Sequence, residues 1–125
     1  MYEIEHQSIR FTNGKKHSFP VEVAEVLDFE DVIVIRLAAS HLTAIQNIFG
    51  LDYQGNLLWK IPLPLSFSPQ TPYVSLSRRG SYVDALNWDG HIVTLHPKKG
   101  HILGEDLYSG GAGSSRRTPS IRRWI

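Results

Sequence analysis

A hairpin written twice constrains this chain more than any other feature. Residues 47–61 read Asn-Ile-Phe-Gly-Leu-Asp-Tyr-Gln-Gly-Asn-Leu-Leu-Trp-Lys-Ile. Phe49 and Leu51 share one face of a first strand, and Leu57, Trp59 and Ile61 share one face of a second. Tyr53-Gln54-Gly55 closes the connection with glycine at the last position, where a left-handed backbone is required. About 44 residues downstream, Ile92 to Leu103 repeats the design around Pro97-Lys98-Lys99-Gly100, a turn one residue longer. Phe49 falls on Val93, Leu51 on Leu95 and Gly55 on Gly100. Two copies of one supersecondary unit predict an all-β chain.

The copies resemble the blade motif of quinoprotein-type (PQQ-like) β-propellers, in which a strand ending in Leu-Asp passes through a glycine turn into a strand ending in Trp. Leu51-Asp52, Gly55 and Trp59 fit that motif; in the second copy His96 replaces the Asp and Gly104 stands at the Trp position. With Asn87-Trp88-Asp89-Gly90 ahead of the second hairpin, the chain is also similar to small stand-alone bacterial β proteins of unassigned function. The resemblance implies a fold, with Trp59 packed between neighbouring units. Two units do not close the ring of four or more blades that holds a cofactor in propellers, so no cofactor is expected.

The rest of the chain extends the reading to an antiparallel meander of two four-stranded units plus an N-terminal hairpin. Residues 2–19 give the hairpin: Ile4 and Ile9 fall on opposite phases, which predicts a bulge or bend near Gln7-Ser8 within one strand over residues 2–11, and Asn13-Gly14 marks a turn. Pro20 ends its second strand or puts it at an edge, so the hairpin is expected to be peripheral. Unit one, residues 21–61, contains Val32-Ile33-Val34-Ile35-Arg36-Leu37, a central strand covered on both faces. At most one short helix is expected, near Ser40 to Gln46.

Residues 62–72 carry four prolines and form a stiff strap, with Leu63, Leu65 and Phe67 expected along the body. Unit two covers residues 73–107, with turns at Arg78-Arg79-Gly80, Asp89-Gly90 and Pro97 to Gly100. Residues 1–108 thus read as one domain and 109–125 as a Gly/Ser linker with a basic tail.

At 125 residues the chain can bury a core of its own. It has no cysteine, which excludes disulfides, thiolate zinc sites and a cysteine nucleophile, and agrees with a reducing compartment. No apolar run reaches membrane-spanning length and the first residues form no signal peptide, so a cytoplasmic protein is expected. The net charge of +1 divides into −3 over residues 1–108 and +4 over 109–125.

Chemistry-bearing motifs are sparse. There is no phosphate loop, nucleophile elbow or His-Glu-x-x-His pattern, and no catalytic residue is assigned. His96 and His101 flank a turn and are expected to face each other; they are either two ligands of a metal or ordinary hairpin histidines. Trp88 sits beside a tight turn, and with Tyr82, Asp89, Arg78 and Arg79 it forms a candidate protein-binding set, the alternative for Trp88 and Tyr82 being structural packing.

The tail residues Arg116, Arg117, Arg122, Arg123 and Trp124 suit nucleic acid, an anionic membrane surface or an acidic protein groove, or are simply solvated. The leading reading is a non-enzymatic β-sheet module that binds another protein, homo-oligomers included. Nucleic-acid binding through the tail is the alternative, and an enzyme or cofactor-binding protein by propeller analogy comes last.

Overall fold

The structure, a computed structural model, describes residues 1–40 and 44–107 and the backbone of 123–124. Its strands in chain order are β1 (Tyr2–Glu5), β2 (Ser8–Phe11), β3 (Lys16–Ser18), β4 (Val23–Asp28), β5 (Val32–Leu37), β6 (Ile48–Asp52), β7 (Leu57–Lys60), β8 (Tyr73–Arg79), β9 (Tyr82–Asn87), β10 (His91–Leu95), β11 (Ile102–Leu107) and β12 (Arg123–Trp124). They make three antiparallel sheets, in the orders β1-β2-β3, β4-β5-β6-β7 and β12-β11-β10-β9-β8. Both four-stranded meanders are present, and the described residues contain no helix. Of the stretch from Ser40 to Gln46, residues 41–43 lie outside the described residues and the others are irregular.

The middle sheet has a core on each face, and β5 explains why. Val32 and Val34 point to a cluster shared with Tyr73, Leu76, Val83, Ala85, Val93 and Leu95 of the third sheet. Ile33, Ile35 and Leu37 point the other way, to Ile9 and Phe11 of the first. Every residue of β5 is buried, as its unbroken β-branched run requires, and each such side chain contributes roughly 1.5–3 kcal/mol of burial.

The N-terminal segment is therefore not peripheral. Ile9 and Phe11 are 0% and 2% exposed because they cover the face of β5 that unit two does not reach. Residues 2–11 are not one strand with a bulge or bend near Gln7-Ser8: the chain reverses fully at His6-Gln7, with His6 in a left-handed conformation (φ 51°), and the expected hairpin is a three-stranded sheet. Ile4 then pairs directly with Ile9, which is why the two fell on opposite phases.

Three turns share one construction. Phe11 N–H donates to Lys15 O (2.8 Å) around Thr12-Asn13-Gly14, and Asp52 N–H donates to Asn56 O (3.0 Å) around Tyr53-Gln54-Gly55. His96 N–H donates to His101 O (3.1 Å) around the longer Pro97 to Gly100 turn. Gly14, Gly55 and Gly100 all have positive φ, so the equivalence of Gly55 and Gly100 holds.

Trp59 joins the two units. Its ring lies against Gly50 on the neighbouring strand and against Gly100 in unit two, and its Nε1–H donates to Pro97 O at 2.8 Å. Leu57, expected on the same face, is 50% exposed, because the ladder slips between Gly50↔Trp59 and Leu51↔Leu57 and leaves Leu58 as a bulge.

Buried polar groups complete the junction. Asn47 is 1% exposed; its Nδ2 donates to Leu37 O and Tyr73 O (2.9 Å each) and its Oδ1 accepts Tyr73 N–H (2.8 Å). Glu25 Oε1 accepts Arg36 Nε–H (2.6 Å) and Leu76 N–H (2.9 Å), tying β4 to β8.

The strap contains no strand, but its backbone holds it more than its apolar side chains do. Leu65 and Ser66 each donate a backbone N–H to the Glu105 carboxylate at 2.7 Å. Leu63 and Leu65, expected along the body, are 56% and 79% exposed, while Phe67 packs and stacks on His91 at 3.8 Å.

Candidate functional site

The turn between β9 and β10 is built from its first residue outward. Asn87 is buried; its Oδ1 accepts His91 N–H (2.9 Å) and its carbonyl accepts Gly90 N–H (3.1 Å), with Gly90 at φ 93°. Pinned on both sides, the turn holds Trp88 outward with 75% of its surface open, and Thr71 Oγ1 donates to Asp89 Oδ2 at 3.4 Å. Beside Trp88 lies a groove of about 510 Å³. Ala39, Ile45, Pro72 and Val74 give it an apolar floor, and Gln70 and Thr71 give it amide and hydroxyl groups.

The other protein-binding candidates lie at the opposite end of β9, whose six residues span roughly 20 Å. There they are engaged within the fold. The Arg78 guanidinium lies 4.2 Å over the Phe29 ring and donates to Asp28 O, and Arg79 pairs with Asp84 at 3.1 Å. Tyr82 is 38% exposed at the rim of a groove of about 640 Å³, between the Asp28 to Glu30 turn and His96 to Lys98. The set of five thus divides, with Trp88 and Asp89 at one end and Arg78, Arg79 and Tyr82 at the other.

His96 and His101 face each other as their positions predict, with ring centroids 5.4 Å apart and planes 28° from parallel. His96 Nδ1 accepts Lys98 N–H at 3.2 Å. Among the described residues no group of three His, Cys, Asp or Glu side chains is placed to hold a metal ion. Two stacked imidazoles do not complete a zinc site.

Burial first, then the positive charges of His101, Lys99 and Lys98, hold His96 below its ordinary value of 6.5. A group whose folded pKa is depressed stabilises fully above its unfolded pKa and loses that contribution as pH falls through the folded one. The denaturation midpoint should therefore fall as pH drops below about 6.5. His96→Asn, whose carbonyl can still accept the Lys98 N–H, should flatten that limb. A pH profile identical in the two proteins would remove His96 as its cause.

A tyrosine-carboxylate cluster had no signal in the sequence. Tyr53 and Tyr2 both donate to Asp28, from the β6–β7 turn and from β1. The hydrogen bond from Tyr53 holds the Asp28 carboxyl below the usual range, whereas burial first and then Asp28 raise both tyrosines. The partners lie 25 and 26 residues apart in sequence, so only the fold brings them together.

Of the tail candidates, Arg116, Arg117 and Arg122 lie outside the described residues. The backbone of Arg123 and Trp124 forms β12, antiparallel to β11, with Trp124 opposite Gly104 and Arg123 opposite Glu105.

Fold and site together define an all-β domain: three antiparallel sheets, two cores, and an aromatic side chain presented on a rigid turn. Residues 1–107 match the family described as Domain of unknown function (DUF7957), and the chain belongs to that family. No curated protein and no solved structure matches it. Among the described residues no helix is long and apolar enough to cross a membrane.

Proposed function

We propose that this chain is a non-enzymatic, cytoplasmic β-sheet module that binds another protein through the Trp88 turn and the groove beside it. The exposure of Trp88 carries the reading. A covered Trp buries about 150–250 Å². A ring left 75% open forgoes burial of roughly 3 kcal/mol, although the turn beneath it is fixed by hydrogen bonds on both sides.

An aromatic anchor over an apolar floor with a polar rim is the arrangement that concentrates binding energy at protein interfaces, where Trp is enriched. The blade resemblance supports the scaffold rather than the activity: Trp59 lies between the two units, and two units do not form a cofactor-binding ring. The nucleic-acid alternative needs the tail arginines free, and the β12 pairing brings the backbone of one of them onto the sheet edge.

Affinity capture from the source cells with wild type, Trp88→Ala and Tyr82→Ala tests the reading. Trp88→Ala should leave folding stability within about 0.5 kcal/mol, as surface substitutions do. It should weaken capture by about 30-fold or more, the equivalent of 2 kcal/mol. Tyr82→Ala should capture as wild type does. Equal capture by Trp88→Ala and wild type would refute the assignment.

A further inference from the structure

The groove of about 640 Å³ at the Tyr82 end of β9 is lined by both four-stranded units and stands apart from the Trp88 surface. Its volume is that of a small-molecule pocket. One wall is the Asp28 to Asp31 turn, fixed where Asp28 Oδ1 accepts Glu30 N–H (2.9 Å) and Phe29 N–H donates to Val32 O (2.8 Å). Glu30 stands there at φ 74°, a left-handed conformation that is costly for a residue with a side chain and that gathers at ligand-binding positions. The Pro97 to Gly100 turn, closed by its own backbone hydrogen bonds, makes the other wall. Both walls are set before any ligand arrives.

The lining offers donors and a ring face. Arg78 is held over Phe29 at 4.2 Å and by one bond from Nη2 to Asp28 O, and among the described residues its Nε and Nη1 have no partner. A guanidinium anchored on one side presents its other edge to a ligand oxygen. The Ser81 hydroxyl is likewise without a partner among the described residues. Lys98 reaches Asp31 at 3.1 Å, but with 57% and 60% of the two side chains open the pair is worth little, and a doubly charged anion takes Lys98 from it. His96 Nδ1 accepts Lys98 N–H, which puts the proton of the neutral ring on Nε2. Tyr82, 38% exposed, stands 6.2 Å from His96 with the ring planes at 54°, leaving a face on which a planar group can stack. Of the lining carboxylates Asp28 is already taken by Tyr2, Tyr53 and Glu30 N–H, so Glu30 alone opposes an anion.

We propose that this groove binds a small aromatic phosphate monoester, up to the size of a nucleoside monophosphate. The phosphate meets Arg78, Lys98 and the Ser81 hydroxyl, a donor set larger than the two oxygens of a carboxylate can use. The ring lies on Tyr82 beside His96. Charge and stacking come from different residues, so neither half of the ligand should bind well without the other. The site is independent of the protein-binding reading, because none of these residues lines the groove beside Trp88.

The test titrates the full chain with adenosine monophosphate, adenosine and inorganic phosphate, following amide resonances by NMR. Adenosine monophosphate should shift the amides of residues 28–31, 78–82 and 96–99 and saturate, whereas adenosine and phosphate should each bind about tenfold or more weakly. Arg78→Gln should weaken adenosine monophosphate about tenfold, as loss of a charged hydrogen bond does. Tyr82→Ala should weaken it about fivefold or more through lost stacking. Glu30→Gln, which removes the opposing charge, should tighten it. Absence of a saturable shift in these three segments would overturn the proposal, as would equal affinity for inorganic phosphate, since the ring would then contribute nothing. Binding that Glu30→Gln weakens would overturn it too, because the groove would then favour cations.

Discussion

Trp59→Ala is expected to lose about 3–5 kcal/mol of folding stability. The ring is the wedge between the two four-stranded sheets. It is 9% exposed, it fills the space left by Gly50 on its own sheet, and it lies on Gly100 of the other. Its removal opens a cavity between the sheets. It also leaves Pro97 O without the indole donor, at a cost of about 1–3 kcal/mol for a buried group. Trp59→Phe should lose less, because a ring still fills most of the space while the hydrogen bond is gone. Urea unfolding followed by circular dichroism measures both. A Trp59→Ala protein as stable as wild type would show that the sheets do not depend on this contact.

Gly100→Ala should follow, at roughly 2–4 kcal/mol. The backbone there has φ 76°, and a Cβ at positive φ costs about 1 kcal/mol. The new methyl would also fall within the space of the Trp59 ring, and overpacking of that kind costs roughly 1–3 kcal/mol. Two other turn glycines separate these causes. At Gly14 (φ 91°) a Cβ meets nothing within 4 Å, so only the backbone cost applies. At Gly55 (φ 85°) it would come within 2.9 Å of Phe11 Cδ2, so the loss should be intermediate.

The expected order of loss is Gly14→Ala, then Gly55→Ala, then Gly100→Ala. In a Trp59→Ala background the Gly100→Ala cost should shrink to the backbone part, a coupling that additive effects would not produce. Equal losses at all three glycines would contradict the packing described for Trp59.

These positions also show what the sequence makes legible. Gly55 and Gly100 announce their turns because a left-handed residue is a local requirement, and Val32 to Ile35 announce a doubly covered strand because neither phase is polar. The identity of the cover is a different matter. Ile9-Arg10-Phe11 alternates like any half-exposed strand, and nothing local says that its apolar face meets Ile33 and Ile35. Leu57 misled because a one-residue bulge at Leu58 changes the phase of a strand without changing its composition.

Leu63 and Leu65 misled for a related reason. The strap is fixed by its own N–H groups on Glu105, some 40 residues away, and of its three alternating apolar side chains only Phe67 packs on the body. The candidate site was partly legible. Trp88, Tyr82, Asp89, Arg78 and Arg79 could be named from residue type and turn position, but their division between the two ends of β9, and the capture of both arginines by Phe29, Asp28 and Asp84, follow from tertiary pairing. Sequence left Trp88 open between packing and recognition, because a side chain beside a turn is covered only if a distant segment passes over it.

The central claim is that the Trp88 end of the molecule is where a partner docks. The most direct measurement places a photo-activatable phenylalanine analogue at position 88 of the full chain in its own cells and, in parallel, at positions 79 and 63. Irradiation should give one discrete cross-linked protein adduct at position 88 and none at 79. An adduct at 79 or 63 with none at 88 would contradict the claim.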